Sequence, residues 1–309
     1  MIRTTTGRGA RRLAGMITGL VAVACWPVQG YSAPAAPIVT ILDGTATVLD
    51  GVRRTSAAPG QRLADGAIVE TGAATQVLRI EWADGQAVNL GPGTRLMLNP
   101  PGFARRGHGG PALYLLQGWV KQHSPPGAQA QGLATRLFEL APFQGVVVVR
   151  AEAQDSWVFV QAGSAALTER QVKPAARHEL ATGNLFAATG TAGGTLQPRA
   201  SSAQLQQVPR AFRDTLPARY AQASAAPATP EALPAPRYAD LQPWLSAETP
   251  VRAGFTRRFG PLLRDRAFRR ELDAHLADHA EWRPILHPPP PPPPPPPAAS
   301  GVVYGSPAR

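Results

Sequence analysis

Two pairs of titratable side chains have a spacing that could support chemistry. His275 and His279 are four residues apart in a segment with helical periodicity, so their rings would share one face of a helix and could share a metal ion. Protein zinc sites need a third protein ligand, and Asp278 directly precedes His279 on a different face. We therefore expect both histidines to flank the apolar stripe of Leu272 and Leu276, and we predict neither a metal nor a cofactor.

The carboxylates of Glu81 and Asp84 could in principle act as an acid–base pair. Asp84, however, directly precedes Gly85, and an Asp-Gly pair between two apolar runs is typical of a hairpin turn. The sequence has no Gly-x-Ser-x-Gly elbow, phosphate-binding loop, dinucleotide-binding glycine motif or His-Glu-x-x-His zinc motif. We predict a protein that is not an enzyme. A pocket lined by polar side chains of the loops 102–110 and 124–132 would instead indicate one.

Positive charge is concentrated in one segment near the C-terminus. The formal net charge is +11, from 31 Lys and Arg against 20 Asp and Glu, and residues 252–270 hold seven arginines but only one acid, Asp265. Nucleic-acid binding would need cations interleaved with aromatic residues on one face, so we predict no nucleic-acid partner. Two interpretations stay open: a solvated helical surface, or a contact surface for an acidic partner, anionic lipid or polysaccharide. The candidate contact residues are Arg252, Arg257, Arg258, Arg264, Arg266, Arg269 and Arg270.

Three tryptophans fall in predicted strands. Aromatic residues make up only 6% of the chain, and Trp82, Trp119 and Trp157 are expected to belong to the core of the strands that carry them. Two or more of them exposed on one face would instead indicate a platform for stacking carbohydrate.

The N-terminus has the pattern of an export signal. A cationic stretch, residues 1–12, precedes an uncharged apolar segment, residues 13–28, and then small residues. We predict a signal peptide over residues 1–35, with cleavage after Gly30 or Ala35, and a periplasmic or secreted protein. The chain has one cysteine, Cys25, inside this segment, so the exported protein would carry no disulfide. Its context resembles a lipoprotein box, and membrane association is expected only if Cys25 is lipidated or the signal is retained.

Residues 38–197 have the pattern of an all-β domain. With 34 Pro and 30 Gly, the chain is too rich in turn-forming residues for a helical bundle. Turn signals such as Asp50-Gly51, Asp65-Gly66 and Asp84-Gly85 recur at short intervals between apolar or alternating runs. Within residues 76–82 the alternation predicts one face with Leu78, Ile80 and Trp82 and another with Arg79 and Glu81. No segment is long enough for crossover helices, so we predict antiparallel or solenoid-like strands.

The order of short motifs in this domain resembles the FecR family of bacterial envelope modules. The motifs are GTATV (44–48), GQRLADGAIVETG (60–72), LRIEWADGQAVNLGPGTRLML (78–98), LQGWV (116–120), QAGS (161–164) and LATG (180–183). Two positions depart from the family: Ala141-Pro142 stands where a Thr-Pro opening is usual, and Gly145-Val146-Val147 where Gly-Thr-x-Phe is usual. The regulatory members carry a cytoplasmic anti-sigma segment before a spanning helix, whereas only twelve residues precede the apolar run here. The resemblance therefore implies an exported FecR-like module without that cytosolic arm.

The C-terminal third changes from strand to helix patterns. We predict a Pro/Ala-rich helical linker over 201–236, a small helical unit over 237–287, and a proline run with a disordered tail over 288–309. In the helical unit, Thr249 is expected to cap one helix carrying Val251, Phe255 and Phe259 on one face, and Asp265 to cap a second. Trp244 and Trp282 are expected to close an aromatic core. About fifty residues form a marginal unit, so docking on the β domain or on a partner is expected.

These features together predict a non-enzymatic exported envelope protein. Its FecR-like domain would act as a protein-interaction or scaffold module, with another envelope protein as partner. The first alternative is a module that binds cell-wall or exported polysaccharide. A further alternative is the periplasmic component of a signalling system, which would need a separate transmembrane partner.

Overall fold

A computed structural model describes residues 36–103 and 110–289, and within them the sheet precedes the helices. The strands are β1 (Ile38–Asp43), β2 (Ala46–Asp50), β3 (Arg53–Ser56), β4 (Ile68–Thr71), β5 (Val77–Glu81), β6 (Ala87–Leu90), β7 (Arg95–Leu98), β8 (Leu113–Ser124), β9 (Leu133–Ala134), β10 (Phe138–Leu140), β11 (Gln144–Ala151), β12 (Asp155–Glu169), β13 (Arg177–Ala181), β14 (Leu185–Thr189) and β15 (Gly194–Gln197). The helices are α1 (Ser202–Gln207), α2 (Tyr220–Ala225), α3 (Tyr238–Leu245), α4 (Thr249–Arg252), α5 (Phe255–Phe259), α6 (Arg266–Ala274) and α7 (Arg283–Leu286). The predicted mainly β fold is confirmed. The predicted signal peptide, Cys25 and all but the first two prolines of the proline run lie outside the described residues.

The strands form one continuous sheet, and two long strands, β8 and β12, change partners along their length. The first half of β8 pairs with β7, and its second half pairs with β6 and β11. In the same way β12 pairs with β11 and β14 early, and with β10 and β13 later. Pairing is antiparallel throughout except between β8 and β9, which run parallel. Because β8 and β12 each belong to both halves, they connect the β5–β6–β11–β14 half of the sheet to the β2–β4–β7–β10 half.

A glycine at the middle of β8 permits the change of partner. Gly118 has φ +93°, and a Cβ at this position would lie 2.5 Å from Cα and 2.6 Å from Oγ1 of Thr94. The Thr94 hydroxyl in turn accepts from the backbone N–H of Trp119 at 2.9 Å. The tight approach of the β6–β7 turn to β8 therefore depends on the absence of a side chain at Gly118.

The main core lies between the two halves of the sheet and follows the period-two pattern. Leu78 and Ile80 of β5 are fully buried there, as the alternation predicts, together with Val69 of β4, Val120 of β8 and Val158 of β12. Burial of such side chains is the main favourable term in folding. The Asp84-Gly85 turn also forms as predicted, with Gly85 at φ +88° between β5 and β6.

The outer face of the β2–β4–β7 half is covered by the helices after residue 237. Ile68, Met97 and Tyr114 project to this side and share a second core with helical side chains. Trp244 and Trp282 are both 0% exposed in this core, which confirms the predicted aromatic core. Residues 237–287 thus dock on the β domain, and we call this docked unit the helical cap.

The helical cap departs from the predicted pattern at one point. Val251, Phe255 and Phe259 are buried as predicted, but they belong to two short helices instead of one. Gly254, at φ +82°, separates α4 from α5 because a left-handed residue cannot continue a helix. Thr249 is the first helical residue, with Glu248 at the cap position. Asp265 caps α6 as predicted, and its Oδ1 accepts from the N–H of Ala267 at 2.7 Å.

Residues 200–236 lie along the surface of the β domain. Phe212, 1% exposed, packs on the outer face of the β11–β12–β14 half with Val148, Trp157 and Leu185. Residues 221–236 bury few apolar side chains, as their Pro/Ala composition predicts, but their backbone is fixed to strand β3. The N–H of Ser56 donates to the carbonyl of Glu231 at 2.9 Å, and the N–H of Leu233 donates to the carbonyl of Arg54 at 2.9 Å.

Candidate functional site

Two of the seven candidate arginines have structural partners, and one of them, Arg258, holds the helical cap on the β domain. The Arg258 guanidinium donates to three backbone carbonyls of the β domain, those of Leu49 at 3.0 Å, Gly51 at 3.2 Å and Gly66 at 2.6 Å. Burial lowers the pKa of Arg258 to about 10, while the nearby Asp50 acts in the opposite direction. Arg252 pairs with Glu281 inside the cap. Both side chains therefore have structural partners.

The other five candidate arginines are exposed on the helical cap. No ion pair links any of them to another residue of the described ranges. On α6, Arg266 lies three and four residues before Arg269 and Arg270, so these three share a side of the helix. We call Arg257, Arg264, Arg266, Arg269 and Arg270 the arginine surface.

The acids beside the arginine surface form no ion pairs with it among the described residues. Asp273 stands four residues after Arg269, where it could form a helical ion pair, but its Oδ1 contacts Nε2 of His287 at 2.6 Å. Asp265 uses its Oδ1 to cap α6. Glu271, the remaining acid of α6, is exposed and has no ion pair in the described ranges. The helix and its N-cap residue thus carry three acids beside Arg266, Arg269 and Arg270, but none of these acids is ion-paired with an arginine.

The two histidines considered as metal ligands are separated by the end of a helix. Helix α6 stops at Ala274, so His275 and His279 do not share a helical face as the spacing predicted. His279 is 0% exposed and its Nε2 lies 2.9 Å from the hydroxyl of Tyr238, while the His275 ring stacks on Tyr238. Burial lowers the pKa of His279. No group of three potential ligands is arranged to hold a metal ion anywhere in residues 36–103 and 110–289.

Glu81 and Asp84 have separate structural roles. Asp84 closes its turn by accepting from the N–H of Gln86 at 3.1 Å and from the N–H of Gln129 at 3.0 Å. These hydrogen bonds, with that of the Gln86 side chain, lower the pKa of Asp84 against the opposing effect of burial. Glu81 is 3% exposed and pairs with Arg79 at 2.5 Å. The pair therefore does not converge on a shared site.

The three tryptophans do not form an exposed platform. Trp157 is 6% exposed, and Trp119 packs edge-on against it with ring centroids 5.3 Å apart. Trp82 packs against the main core. Trp157 is buried as predicted, whereas Trp82 and Trp119 are half-buried, and none of the three is exposed as a stacking platform would require.

Sequence reasoning missed a polar cavity on the outer face of β5, β6 and β8. Its volume is about 300 Å³, and its lining includes Arg79, Asn89, Lys121, His123 and Asp214. The alternation of apolar and polar residues in β5 predicted that Arg79 lies on this face. The local sequence did not predict that residues 212–219 cover the face and so close the cavity. The lining comes from strands and this covering segment, whereas loop 124–132 contacts the Asp84 turn instead.

The chain has only a limited resemblance to known proteins. No family model and no curated protein matches the chain. Two crystal structures from Parabacteroides distasonis ATCC 8503, each described as "a putative anti-sigma factor", match with 16% identity and TM-scores of 0.35 and 0.31. The matches cover 45% and 40% of this chain and 64% and 58% of those chains, which is less than two thirds of either. Membership of the FecR family therefore stays a prediction.

None of the helices in residues 36–103 and 110–289 combines the length and apolar character that crossing a membrane requires.

Proposed function

We propose that the chain is a non-enzymatic exported envelope protein, whose β domain is a scaffold that presents the arginine surface to an acidic protein partner. One observation carries this proposal: five exposed arginines lie within residues 257–270, without ion-pair partners in the described ranges, on a cap that is packed into the β domain. Arginine is well suited to this use, because its planar fork binds carboxylates through two hydrogen bonds.

The rigid attachment of the cap supports a recognition role. Arg258 bonds three β-domain carbonyls, Arg170 pairs with Glu248, and Trp244 Nε1 donates to Glu70 Oε1 at 2.8 Å. A charged surface on such a base has little backbone entropy to lose on binding. Electrostatic complementarity of this kind mainly raises the association rate and excludes unsuitable partners.

Cross-linking in the periplasm, with purification of the cross-linked complex, tests the proposal. A variant with all five arginines of the arginine surface changed to Gln should lose the cross-linked partner that the unaltered chain retains. The matched control changes five exposed arginines of the rest of the chain, Arg53, Arg62, Arg136, Arg177 and Arg210, to Gln. Both variants lose the same net charge, so only the position of the charge differs.

The outcomes separate the proposed partner from the alternative. Equal loss of cross-linking in both variants, or recovery of monomer alone from the unaltered chain, contradicts the proposal. Retention of the unaltered chain on insoluble peptidoglycan, lost in the five-arginine variant, would favour binding of cell-wall polysaccharide instead. Mass spectrometry of the exported N-terminus tests the proposed export and distinguishes cleaved from lipid-anchored forms.

A further inference from the structure

The outer face of the sheet changes from polar to apolar along one row of paired residues. Arg79 of β5 stands opposite Asn89 of β6, and Asn89 stands opposite Lys121 of β8. The same row continues through Val148 of β11 to Phe159 of β12. Two cavities follow this division, and the side chain of Gln161 lines both of them.

The polar cavity presents nitrogen donors from adjacent strands. Arg79 is 8% exposed, and it is held in place by Nε on Glu81 at 2.5 Å and by Nη1 on Asn89 Oδ1 at 3.0 Å. Lys121 donates through Nζ to the carbonyl of Phe212 at 2.6 Å, which ties the covering segment to the sheet. His123 is exposed and gives the cavity an accessible donor.

The charged groups in and around the cavity influence one another. The pKa of Lys121 is lowered by burial and then by the charge of Arg79, and Asp214 opposes this only in part. Burial, Arg79 and Lys121 likewise lower the pKa of His123. Glu81 does not line the cavity, and its Oε2 accepts from the N–H of Arg219 at 2.9 Å. The cavity thus brings the donors of Arg79, Lys121 and His123 together, with Asp214 as its one acidic lining residue and Glu81 paired to Arg79 from outside the lining.

The adjoining cavity is larger and mainly apolar. Its volume is about 610 Å³, and Val148, Phe159, Leu205, Val208 and Phe212 contribute most of its lining. Leu205 is 40% exposed and contributes its side to this lining. An apolar chain placed in this cavity would remove these side chains from water.

We propose that this outer-face cleft binds a carboxylate that carries an apolar tail. The carboxylate would accept hydrogen bonds from Lys121, Arg79 and His123 in the polar cavity, and the tail would lie against Phe159 and Leu205 in the apolar one. The proposal uses a different surface from the arginine surface and does not depend on the proposed function.

Calorimetric titration of the purified full chain with three probes tests both halves of the cleft. Decanoate offers a carboxylate and a tail, acetate offers the carboxylate alone, and decanol offers the tail with an uncharged head. Because each half contributes separately, decanoate should bind about tenfold or more tighter than either other probe.

Two single substitutions should then change decanoate affinity in opposite directions. Lys121→Met removes a charged donor and should weaken binding about tenfold. Asp214→Asn removes the acid that lines the cavity and should strengthen binding, a result that partial unfolding would not produce. Lys173→Met, at the only other lysine of the chain, is the matched control and should leave affinity unchanged.

The proposal is overturned if none of the probes binds, or if acetate or decanol binds as tightly as decanoate. It is equally overturned if Asp214→Asn weakens binding or if Lys121→Met and Lys173→Met behave alike.

Discussion

Replacing Arg258 should destabilise the attachment of the helical cap far more than replacing its neighbour Arg257. Arg258 donates to the carbonyls of Leu49, Gly51 and Gly66, and its guanidinium carbon lies 5.0 Å from the centroid of the Phe259 ring. Arg257 is exposed and has no ion-pair partner among the residues described. The two side chains are adjacent in sequence and identical in charge, so position alone distinguishes them.

The size of the effect follows from the three hydrogen bonds. A hydrogen bond to a charged group contributes about 1.5–3 kcal/mol, but these bonds share one side chain and the carbonyls regain some water when it is removed. We therefore expect Arg258→Met to lower the free energy of unfolding by about 2–3 kcal/mol, and Arg257→Met by less than about 0.5 kcal/mol. Arg258→Lys should fall between them, because one ammonium cannot reproduce the planar fork.

Urea denaturation followed by tryptophan fluorescence measures both variants, since Trp244 and Trp282 lie in the core that the cap shares with the β domain. Equal stability of the Met variants at positions 257 and 258 would refute the assigned role of Arg258. A fall in the slope of unfolding with urea for Arg258→Met alone would show that the cap separates from the β domain first.

Three further perturbations test the packing around the cap and the sheet. The free energy of unfolding should fall as the pH drops below about 6.5, because His279 then binds a proton in the unfolded chain, while burial lowers its pKa in the folded protein. His279→Gln should reduce this loss of stability at acid pH, as measured by urea denaturation at several pH values. Gly118→Ala should lower the free energy of unfolding by about 2–4 kcal/mol in thermal melts. Gly51→Ala is the control, at φ +57° with nothing within 4 Å of the added Cβ, and should lower it by only about 1 kcal/mol. Equal losses of stability would contradict the contact with Thr94. Trp244→Phe should cost about 1–3 kcal/mol by leaving Glu70 without the indole donor, and a neutral result in urea melts would remove that hydrogen bond as a docking contact.

Local sequence pattern predicts those parts of the fold that depend on neighbouring residues. The alternation in β5 placed Leu78 and Ile80 in the core, and the Asp-Gly pair after it forms the turn. Asp265 caps its helix because capping needs only the next three residues. Gly254 shows the limit of this approach, since the apolar spacing on either side of it continued unbroken while the backbone turned left-handed.

The roles of charged residues depended on contacts that are remote in sequence. Arg258 is separated from its acceptor at Leu49 by 209 positions, and the N–H that binds Glu81 belongs to Arg219, 138 positions away. No periodicity distinguishes a solvated arginine from one that holds two units together, because both occur on helices with the same spacing of apolar residues. The same reasoning applies to the outer-face cleft. Alternation predicted that Arg79 and Glu81 share a face, but only the tertiary course of residues 200–219 makes that face the floor of a covered polar cavity. The role of a charged side chain that is covered by an irregular segment, as Arg79 is, therefore depends on tertiary contacts that the local sequence pattern does not reveal.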